Sequence, residues 1–430
     1  MISSSATPSP QPQDKGGRGI LQEIFSARMG ICLVTGFSSG LPLYVLIVLL
    51  AAFLKDSGVD LKIIGLFSLV TFPYTWKFLW APLTDRFQLW GLGRRRGWML
   101  TTQIVLILAI GSVGLFNPQH SLSIIMALVC LTALASATQD IVIDAFRREI
   151  LTDRELGLGS SLFVNAYRIA GLVPGSLSLI AADFFPWHYV FAGTALFMLP
   201  GLILTLVVSE PQVSLAPKTL RQAVVEPFAD FITRKGWGGA LLCLIFVFFY
   251  KIGDSMATAL ATPFYLDLGF SLSVIGIVAK NVGIWSMVAG GMLGGILMLK
   301  IGINKALWLF GLAQWVPILG FALLAHMGGQ GQASVWLLAL VIGAEALGTG
   351  LGTAAFVSYI ARECTPAFTA TQFALLSSFS AVPRTFCNAA TGFIVQAVGW
   401  EQFFYICALL ALPGMLLLFK IAPWGADDKN

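Results

Sequence analysis

Long apolar segments separated by short polar loops fill most of the chain. An α-helix needs about 20 apolar residues to cross the hydrocarbon core of a bilayer, and the segments reach that length without the alternation expected of a transmembrane β-strand. The pattern predicts an all-α integral membrane protein with twelve transmembrane helices. The predicted spans are residues 29–53, 61–80, 98–116, 121–146, 158–182, 187–208, 237–265, 272–299, 305–326, 333–360, 368–397 and 400–421.

The composition supports a location in the membrane. Charged residues make up 11% of the 430 residues and hydrophobic residues 57%, whereas soluble domains carry about 25% charged residues. A soluble fold of this length would need more charge to cover its surface. The sequence shows no nucleotide-binding loop, metal-ligand spacing or catalytic triad, so we expect neither an enzyme nor an ATP-driven pump, and no cofactor.

Lysine and arginine are distributed unevenly between the two sets of loops. If the N-terminus is inside, the predicted cytoplasmic segments carry almost all of the basic residues outside the spans, and the opposite loops carry only Lys55 and Lys62. Basic residues are enriched on the cytoplasmic side of membrane proteins. We therefore expect both termini to be cytoplasmic.

The longest internal loop divides the spans six and six. The predicted segments are a disordered cytoplasmic tail (1–28), a six-helix bundle (29–209), a cytoplasmic linker (210–236), a second six-helix bundle (237–421) and a cytoplasmic tail (422–430). In the linker, one helical face would carry Leu220, Val224, Phe228 and Phe231. This pattern fits a short interfacial helix, with a plain linker as the alternative.

The two predicted bundles resemble each other in sequence. Gly58 and Leu61 recur as Gly269 and Leu272, 211 residues later, and FRRE (146–149) recurs as IARE (360–363), 214 residues later. Two parallel six-helix halves are the architecture of the major facilitator superfamily.

A second resemblance to that superfamily lies in the loop between spans two and three, which reads APLTDRFQLWGLGRRRG (81–97). Asp85 at a helix end can cap a helix of the other half or pair with the basic residues that follow. We interpret Asp85, Arg86, Arg94 and Arg95 as a charge latch that breaks when the halves move. Plain positive-inside charge is the alternative, and it leaves Asp85 unexplained.

Acidic residues inside the spans are functional candidates, because burying an unpaired charge in a membrane is costly. Asp140 and Asp144 lie one helical turn apart, so at least one of them is expected to hold a proton. The deeper one, Asp140, is the preferred proton site, and Asp144 has a helix anchor as its alternative role. Asp254 and Glu345 are the other two candidates for proton coupling.

Basic and polar residues in the spans are candidates for substrate binding. Arg168 and Arg384 lie at similar depths in matching spans, where each can hold a substrate carboxylate. Alternatively, Arg168 neutralises Asp140 and Arg384 neutralises Glu345. Lys251 can pair with Asp254 three residues on. The other predicted substrate contacts are Gln139, Asn165, Tyr44, Tyr167, Tyr250, Lys280 and Asn281.

Several stretches resemble the AmpG muropeptide permeases, a branch of the major facilitator superfamily. They are GFSSGLPL (36–43), KFLWAPLTDR (77–86), SATQDIVIDAF (136–146), YKIGD (250–254) and TQFALLSSFSAV (371–382). The resemblance implies proton-driven import of N-acetylglucosaminyl-1,6-anhydro-N-acetylmuramyl peptides across a Gram-negative inner membrane. It also implies a role in murein recycling and β-lactamase induction.

The candidate residues suit such a cargo, because aromatic faces hold sugar rings and cations hold peptide carboxylates. Two other functions stay open: a carrier of another amphipathic anion, such as an acyl-CoA or a siderophore, and a non-transporting membrane receptor. Buried carboxylates argue against the receptor, since a scaffold gains nothing from their desolvation cost. We expect a functional monomer in contact with membrane lipid, and no nucleic acid partner.

Overall fold

The computed structural model describes residues 20–60, 63, 67–210, 219–275, 278, 281–330 and 334–425, and no strand occurs in these ranges. The α-helices of the first half are Ile20–Ile24, Ala27–Tyr44, Leu50–Asp56, Phe72–Trp76, Ala81–Arg86, Arg96–Val113, Pro118–Ile150, Leu156–Ala170, Ser178–Ala182, Trp187–Leu196 and Leu199–Val207. Those of the second half are Leu220–Phe249, Ile252–Ala259, Ala261–Asp267, Leu272–Ile275, Gly283–Gly329, Val335–Glu363 and Thr369–Ile421.

Nine segments within the described ranges are long and apolar enough to cross a membrane. The predicted second span is absent from this set, because its described part is divided into the short pieces Ser68–Thr71, Phe72–Trp76 and Lys77–Leu79. Pro73 contributes to the irregularity, since proline cannot donate a helical hydrogen bond. Predicted spans eight and nine fall together in Gly283–Gly329, and predicted spans eleven and twelve fall together in Thr369–Ile421, so the count of twelve stays a prediction.

Three of the longest helices are interrupted at a glycine. Gly236, Gly302 and Gly399 have φ angles of 69°, 75° and 81°, which glycine adopts without the steric cost that a side chain would bring. Gly236 precedes the predicted seventh span, Gly302 lies between the predicted eighth and ninth, and Gly399 lies between the last two. The breaks therefore fall where the hydrophobic pattern places boundaries.

The linker contains a helix that begins at Leu220 and is interrupted at Gly236. The Thr219 hydroxyl accepts from the Gln222 amide at 3.2 Å, and the Gln222 side chain accepts from the Thr219 amide at 3.1 Å. This reciprocal pair satisfies backbone donors at the start of the helix. We call residues 220–235 the linker helix.

The predicted apolar face of the linker helix is buried in the protein only in part. Ala223 and Phe231 are buried, whereas Val224 and Phe228 are exposed. Part of the apolar face therefore points outward, where it can contact lipid, and the interfacial role of the helix stays a prediction.

The two halves meet along small residues of the helix Gly283–Gly329. A β-carbon placed on Gly295 would lie 2.6 Å from the Ser161 β-carbon, and one on Gly291 would lie 2.6 Å from the Asn165 Oδ1. Such small residues let helices of the two halves approach closely. Near the same end of the molecule, Ser358 donates to the Leu156 carbonyl at 3.3 Å. We call this end, which carries residues 87–95, 151–155 and 364–368, the latch side.

We expect Gly295→Val to weaken closure of the latch side. Overpacking a tight contact costs about 1–3 kcal/mol, so the closed population should fall by about tenfold. Spin labels on Arg154→Cys and Lys300→Cys, which lie on opposite halves, would report the change as a longer distance distribution. Gly193→Val is the matched control, because a β-carbon there has open space around it. An unchanged distribution for Gly295→Val would show that this contact does not control closure.

Candidate functional site

Four charged side chains are buried together in the first half. Lys77 Nζ lies 3.8 Å from Asp144 Oδ2 and 4.0 Å from Asp140 Oδ2, and Arg147 Nη2 lies 3.0 Å from Asp144 Oδ1. The Ser39 hydroxyl donates to Asp140 Oδ1. We call Lys77, Asp140, Asp144 and Arg147 the N-half charge cluster. Its two acids and two bases balance, so both carboxylates can be ionised without a net buried charge.

The helix Pro118–Ile150 holds this cluster against its neighbours through polar contacts of two adjacent residues. The Gln139 side-chain amide donates to the Ser38 carbonyl at 2.9 Å, and Trp80 Nε1 donates to Thr138 Oγ1 at 3.0 Å. Gln139 therefore ties this helix to the first span. In this conformation its amide nitrogen is engaged by the protein.

Arg147 lies at the boundary with the second half. Its guanidinium carbon lies 4.0 Å from the centre of the Phe163 ring and 5.6 Å from the centre of the Phe373 ring, which belongs to the second half. Aromatic faces attract a cation in such positions. The position of Arg147 therefore depends on how closely the halves approach.

A second cluster lies in the other half, where the helix containing span seven is interrupted around Lys251. Lys251 Nζ lies 2.9 Å from Asp254 Oδ2 and donates to Gln314 Oε1 at 3.1 Å. Thr349 Oγ1 lies 2.6 Å from Asp254 Oδ1 and 2.8 Å from Glu345 Oε1. We call Lys251, Asp254, Glu345 and Thr349 the C-half charge cluster. The predicted pair of Lys251 and Asp254 is formed.

Arg168 connects the two halves electrostatically. Although it belongs to the first half, its charge interacts with Asp254 and Glu345 of the second half and with Tyr44. Its Nη1 is buried and has no hydrogen-bond partner among the described residues. The alternative in which Arg168 neutralises Asp140 is not observed, because the Asp140 carboxylate instead faces Lys77.

Asn165 lies one turn before Arg168 on the same helix. It is only 2% exposed, and neither its Oδ1 nor its Nδ2 has a hydrogen-bond partner among the described residues. Burying unpaired amide atoms is costly. Asn165 and Arg168 therefore present unsatisfied polar atoms at the interface between the halves.

The predicted tyrosines differ in their surroundings. The rings of Tyr44 and Tyr167 lie edge to face with centroids 6.2 Å apart, close to Arg168. Tyr250 is packed instead: its hydroxyl donates to the Leu307 carbonyl at 3.0 Å, and its ring stacks on Phe356. In this conformation Tyr250 supports the core of the second half.

Three predicted substrate contacts are placed only in part. Lys280 lies outside the described residues. The Arg384 backbone belongs to the helix Thr369–Ile421, but its side chain is outside the described set. Asn281 is exposed. Their roles, including the proposed pairing of Arg384 with Glu345, stay predictions.

The latch side is held by a network around Asp85. Arg95 Nη2 lies 2.8 Å from Asp85 Oδ1 and 2.6 Å from Glu149 Oε1. The other Asp85 oxygen, Oδ2, accepts from the Thr371 amide at 2.9 Å and from the Thr371 hydroxyl at 2.7 Å. Thr371 lies in the first turn of a helix of the second half, where a negative charge is favourable. Asp85 therefore makes both of its predicted interactions at once.

The other predicted latch residues behave differently from one another. Arg94 pairs with Glu149 at 3.1 Å and donates to the Ala367 carbonyl of the second half at 3.3 Å. Arg86 instead lies over the Phe87 ring, 5.5 Å from its centre. We keep the name latch for Asp85, Arg94, Arg95, Glu149 and Thr371.

Arg95 stays charged in this network. Burial alone would lower the pKa of its guanidinium, but the carboxylates of Glu149 and Asp85 raise that pKa above its ordinary value. Arg95 therefore stays protonated over the physiological pH range, and the latch remains an ionic network.

Gln372, the residue after Thr371, binds the linker helix. Its Nε2 donates to the Pro227 carbonyl and to Asp230 Oδ2, both at 3.0 Å. At the end of the linker helix, Lys235 Nζ lies 2.5 Å from Glu363 Oε2. These contacts fasten the linker helix to the second half next to the latch.

Sequence reasoning missed several partners in these networks. Glu149, Thr349 and Thr371 are not candidates in the sequence, although the repeated FRRE and IARE stretches mark Glu149 and Glu363 as a matched pair. A lone threonine in an apolar span carries no signal of its own. Lys77 is recognisable only as a charge inside a predicted span.

Comparisons with known proteins agree with this architecture. The model of the Major Facilitator Superfamily matches residues 32–382. An uncharacterized protein of Haemophilus influenzae is 49% identical over 414 residues, which cover 95% of this chain and 97% of that protein. The anhydromuropeptide permease of Escherichia coli K12 is 40% identical over 398 residues, which cover 91% of this chain and 79% of the permease.

A solved structure shows the same fold at low sequence identity. The human organic anion transporter MFSD10 (TETRAN) aligns with a TM-score of 0.67 and 16% identity, over 91% of this chain and 98% of that chain. The chain thus belongs to the major facilitator superfamily, and it is a multi-pass membrane transporter rather than an enzyme. Within the superfamily it belongs to the branch of the AmpG permeases.

We expect Asp85→Ala to loosen the latch. The substitution removes the acceptor of two Thr371 hydrogen bonds and one of the two carboxylates on Arg95, and hydrogen bonds to charged groups are worth about 1.5–3 kcal/mol each. Amide exchange in residues 366–375 should therefore accelerate by tenfold or more, as measured by mass spectrometry on the detergent-purified protein.

Asp153→Ala is the control for the latch variant, because Asp153 is exposed and pairs only with Arg148 among the ion pairs of the described residues. Equal exchange in residues 366–375 for Asp85→Ala and the wild type would show that Asp85 does not hold the halves together.

Proposed function

We propose that this chain is an importer of anhydromuropeptides across the bacterial inner membrane, driven by proton symport and working by alternating access. The observation that carries the substrate assignment is the 40% identity to the Escherichia coli anhydromuropeptide permease along 91% of this chain. In the cell such an importer serves murein recycling and β-lactamase induction. The proton gradient is its energy source, and it needs no cofactor.

The polar groups between the halves support an anionic peptide–sugar cargo. Arg168 can hold a peptide carboxylate through two parallel hydrogen bonds, and the unsatisfied amide of Asn165 can bind a neighbouring polar group. The Tyr44 and Tyr167 rings offer faces for the sugars. Four further proposed contacts rest only on being basic or polar residues inside predicted spans: Lys251, Lys280, Asn281 and Arg384.

The conformation fits one state of an alternating-access cycle. Because the latch side is closed, we infer that the opposite end is the one that opens, since the two ends of such a transporter open in turn. Under the proposed orientation, with both termini cytoplasmic, the latch side is cytoplasmic. The structure then corresponds to an outward-facing state that accepts cargo from the periplasm.

Twelve spans in two bundles (29–209 and 237–421) complete the proposed topology, with residues 210–236 as the cytoplasmic linker. The helix Gly283–Gly329 has 47 residues, or about 70 Å at 1.5 Å per residue, more than twice the hydrocarbon thickness of about 30 Å. Its interruption at Gly302 allows two crossings. We propose that the monomer is the working unit.

Uptake into proteoliposomes tests the proposed function. Labelled N-acetylglucosaminyl-1,6-anhydro-N-acetylmuramyl tripeptide is added with and without an inward proton gradient, and accumulation only with the gradient is expected. Liposomes without protein provide the background. Equilibration without accumulation would contradict symport. Absence of uptake by folded protein would contradict the substrate, and acyl-CoA and siderophore uptake would then be measured.

We expect Arg168→Ala to weaken binding of the disaccharide tripeptide by about tenfold to a hundredfold, because a hydrogen bond to a charged group contributes about 1.5–3 kcal/mol. Binding of the bare anhydrodisaccharide should fall less, since it lacks the peptide carboxylates. Isothermal calorimetry on the purified protein measures both. Arg154→Ala is the control, because Arg154 pairs with Glu23 at the N-terminal end of the described chain. Equal losses for both ligands would argue against peptide carboxylate recognition.

A further inference from the structure

If both carboxyls of the C-half charge cluster are ionised, the Thr349 hydroxyl has two carboxylate neighbours and can donate a hydrogen bond to only one of them. Thr349 Oγ1 is within hydrogen-bond distance of both Asp254 Oδ1 and Glu345 Oε1. A hydroxyl has a single proton to donate. If Thr349 donates to one carboxylate, its contact with the other is satisfied when that carboxyl carries a proton and donates to Thr349 Oγ1.

Lys251 decides which of the two carboxyls is ionised. Its Nζ lies 2.9 Å from Asp254 Oδ2, whereas Glu345 Oε1 lies beside the neutral Thr349 hydroxyl. A direct cation stabilises the ionised form of Asp254. Glu345 is therefore the carboxyl that takes the proton when the cluster binds one.

The two buried clusters differ in their charge balance. The N-half charge cluster has two acids with two bases, Lys77 and Arg147, inside one half. In the C-half charge cluster, two acids share one base of their own half, Lys251. The remaining negative charge has to be balanced either by Arg168 from the first half or by a proton.

Every described charged or titratable group that faces Glu345 enters this balance. Asp254 and Lys251 lie on the interrupted helix, and Tyr265 on the helix Ala261–Asp267 interacts with Glu345 electrostatically. Arg168 of the first half interacts with Glu345 electrostatically. Thr349, on the same helix as Glu345, is the neutral bridge. Of these, Arg168 is the one that a substrate can compete for.

A second observation indicates that a ligand binds next to the cluster from the first half. The amide of Asn165 is buried with both polar atoms unpartnered within the described chain, and it touches Gly291. Gly291 in turn packs against Gly350, which directly follows Thr349. Unsatisfied donors on Asn165 and Arg168 thus flank the cluster at the interface between the halves.

We propose that Glu345, bridged by Thr349 to Asp254, is the binding site of the transported proton, and that a substrate carboxylate on Arg168 drives proton uptake there. When the carboxylate occupies Arg168, the arginine no longer balances the two acids. Glu345 then takes one proton from the aqueous phase and becomes neutral. Release of substrate returns Arg168 to the acids and the proton to the opposite side. This inference rests on the proposed symport function and assigns its proton to one residue.

Infrared difference spectroscopy tests the proton site without a substrate. The purified protein is titrated over pH, and we expect the carbonyl band of a buried protonated carboxyl to appear as the pH is lowered. The band should disappear in Glu345→Gln and shift in Thr349→Val, which removes the bridging hydroxyl at constant shape. It should return to its position in Thr349→Ser and stay unchanged in Asp140→Asn.

Linkage to substrate is measured by calorimetry with the disaccharide tripeptide in buffers of different ionisation enthalpy. Wild type should take up about one proton per bound ligand, and Glu345→Gln should take up almost none while it still binds. In proteoliposomes, Glu345→Gln should keep substrate exchange and lose accumulation driven by the gradient.

Several results would overturn the proposal. One is a carboxyl band that persists in Glu345→Gln or is lost only in Asp140→Asn, which would place the proton in the N-half charge cluster. Another is gradient-driven accumulation by Glu345→Gln. If the band behaves as expected but the tripeptide does not bind to wild type, the substrate assignment fails and the proton site stands.

Discussion

A charge buried in a membrane protein has to find its counter-charge within the protein, and this constraint organises the interior of the molecule. The N-half charge cluster meets it within one half. The C-half charge cluster does not: its second carboxyl depends on Arg168, which arrives from the other half, or on a proton. The distance between the halves therefore determines how well Arg168 compensates the acids of the other half. A movement of the halves changes which buried charges have a counter-charge nearby.

Three consecutive residues transmit the position of the second half to the rest of the molecule. Thr371 binds Asp85 in the latch, Gln372 binds the linker helix, and Phe373 faces the guanidinium of Arg147. Because they share one helical turn, separation at the latch also removes an aromatic face from the N-half charge cluster. The latch and the buried charges are thus parts of one mechanical unit rather than independent features.

The sequence predicts local features of this molecule well and distant pairings poorly. Hydrophobic periodicity locates the helix boundaries near Gly236, Gly302 and Gly399, since a break in an apolar run is a local property. Asp85 is recognisable because its neighbours along the chain are basic. The Thr349 bridge joins residues 95 positions apart, and no spacing rule connects them. In the sequence, Thr349 is one polar residue within an apolar span, and nothing marks it as a contact of Asp254.

Arg168 shows the same limit in a different way. The sequence suggests Asp140 as its partner, because both charges lie inside predicted spans of the same half. In the structure the cation near Asp140 is Lys77, and Arg168 interacts electrostatically with the acids of the opposite half. Likewise, Arg86 follows Asp85 directly but stacks on Phe87. Position along the chain and within a span narrows the possible partners of a charged side chain, and tertiary packing determines which partner it contacts.

The two copies of the repeated stretch have different partners, and this decides which half carries the linker helix. Glu149 in FRRE holds Arg94 and Arg95, within its own half, whereas the matching Glu363 in IARE holds Lys235 of the linker helix. The linker helix is therefore fastened to the second half alone at this point. When the halves separate, it has to travel with the second half, and the chain between it and the first half has to take up the movement.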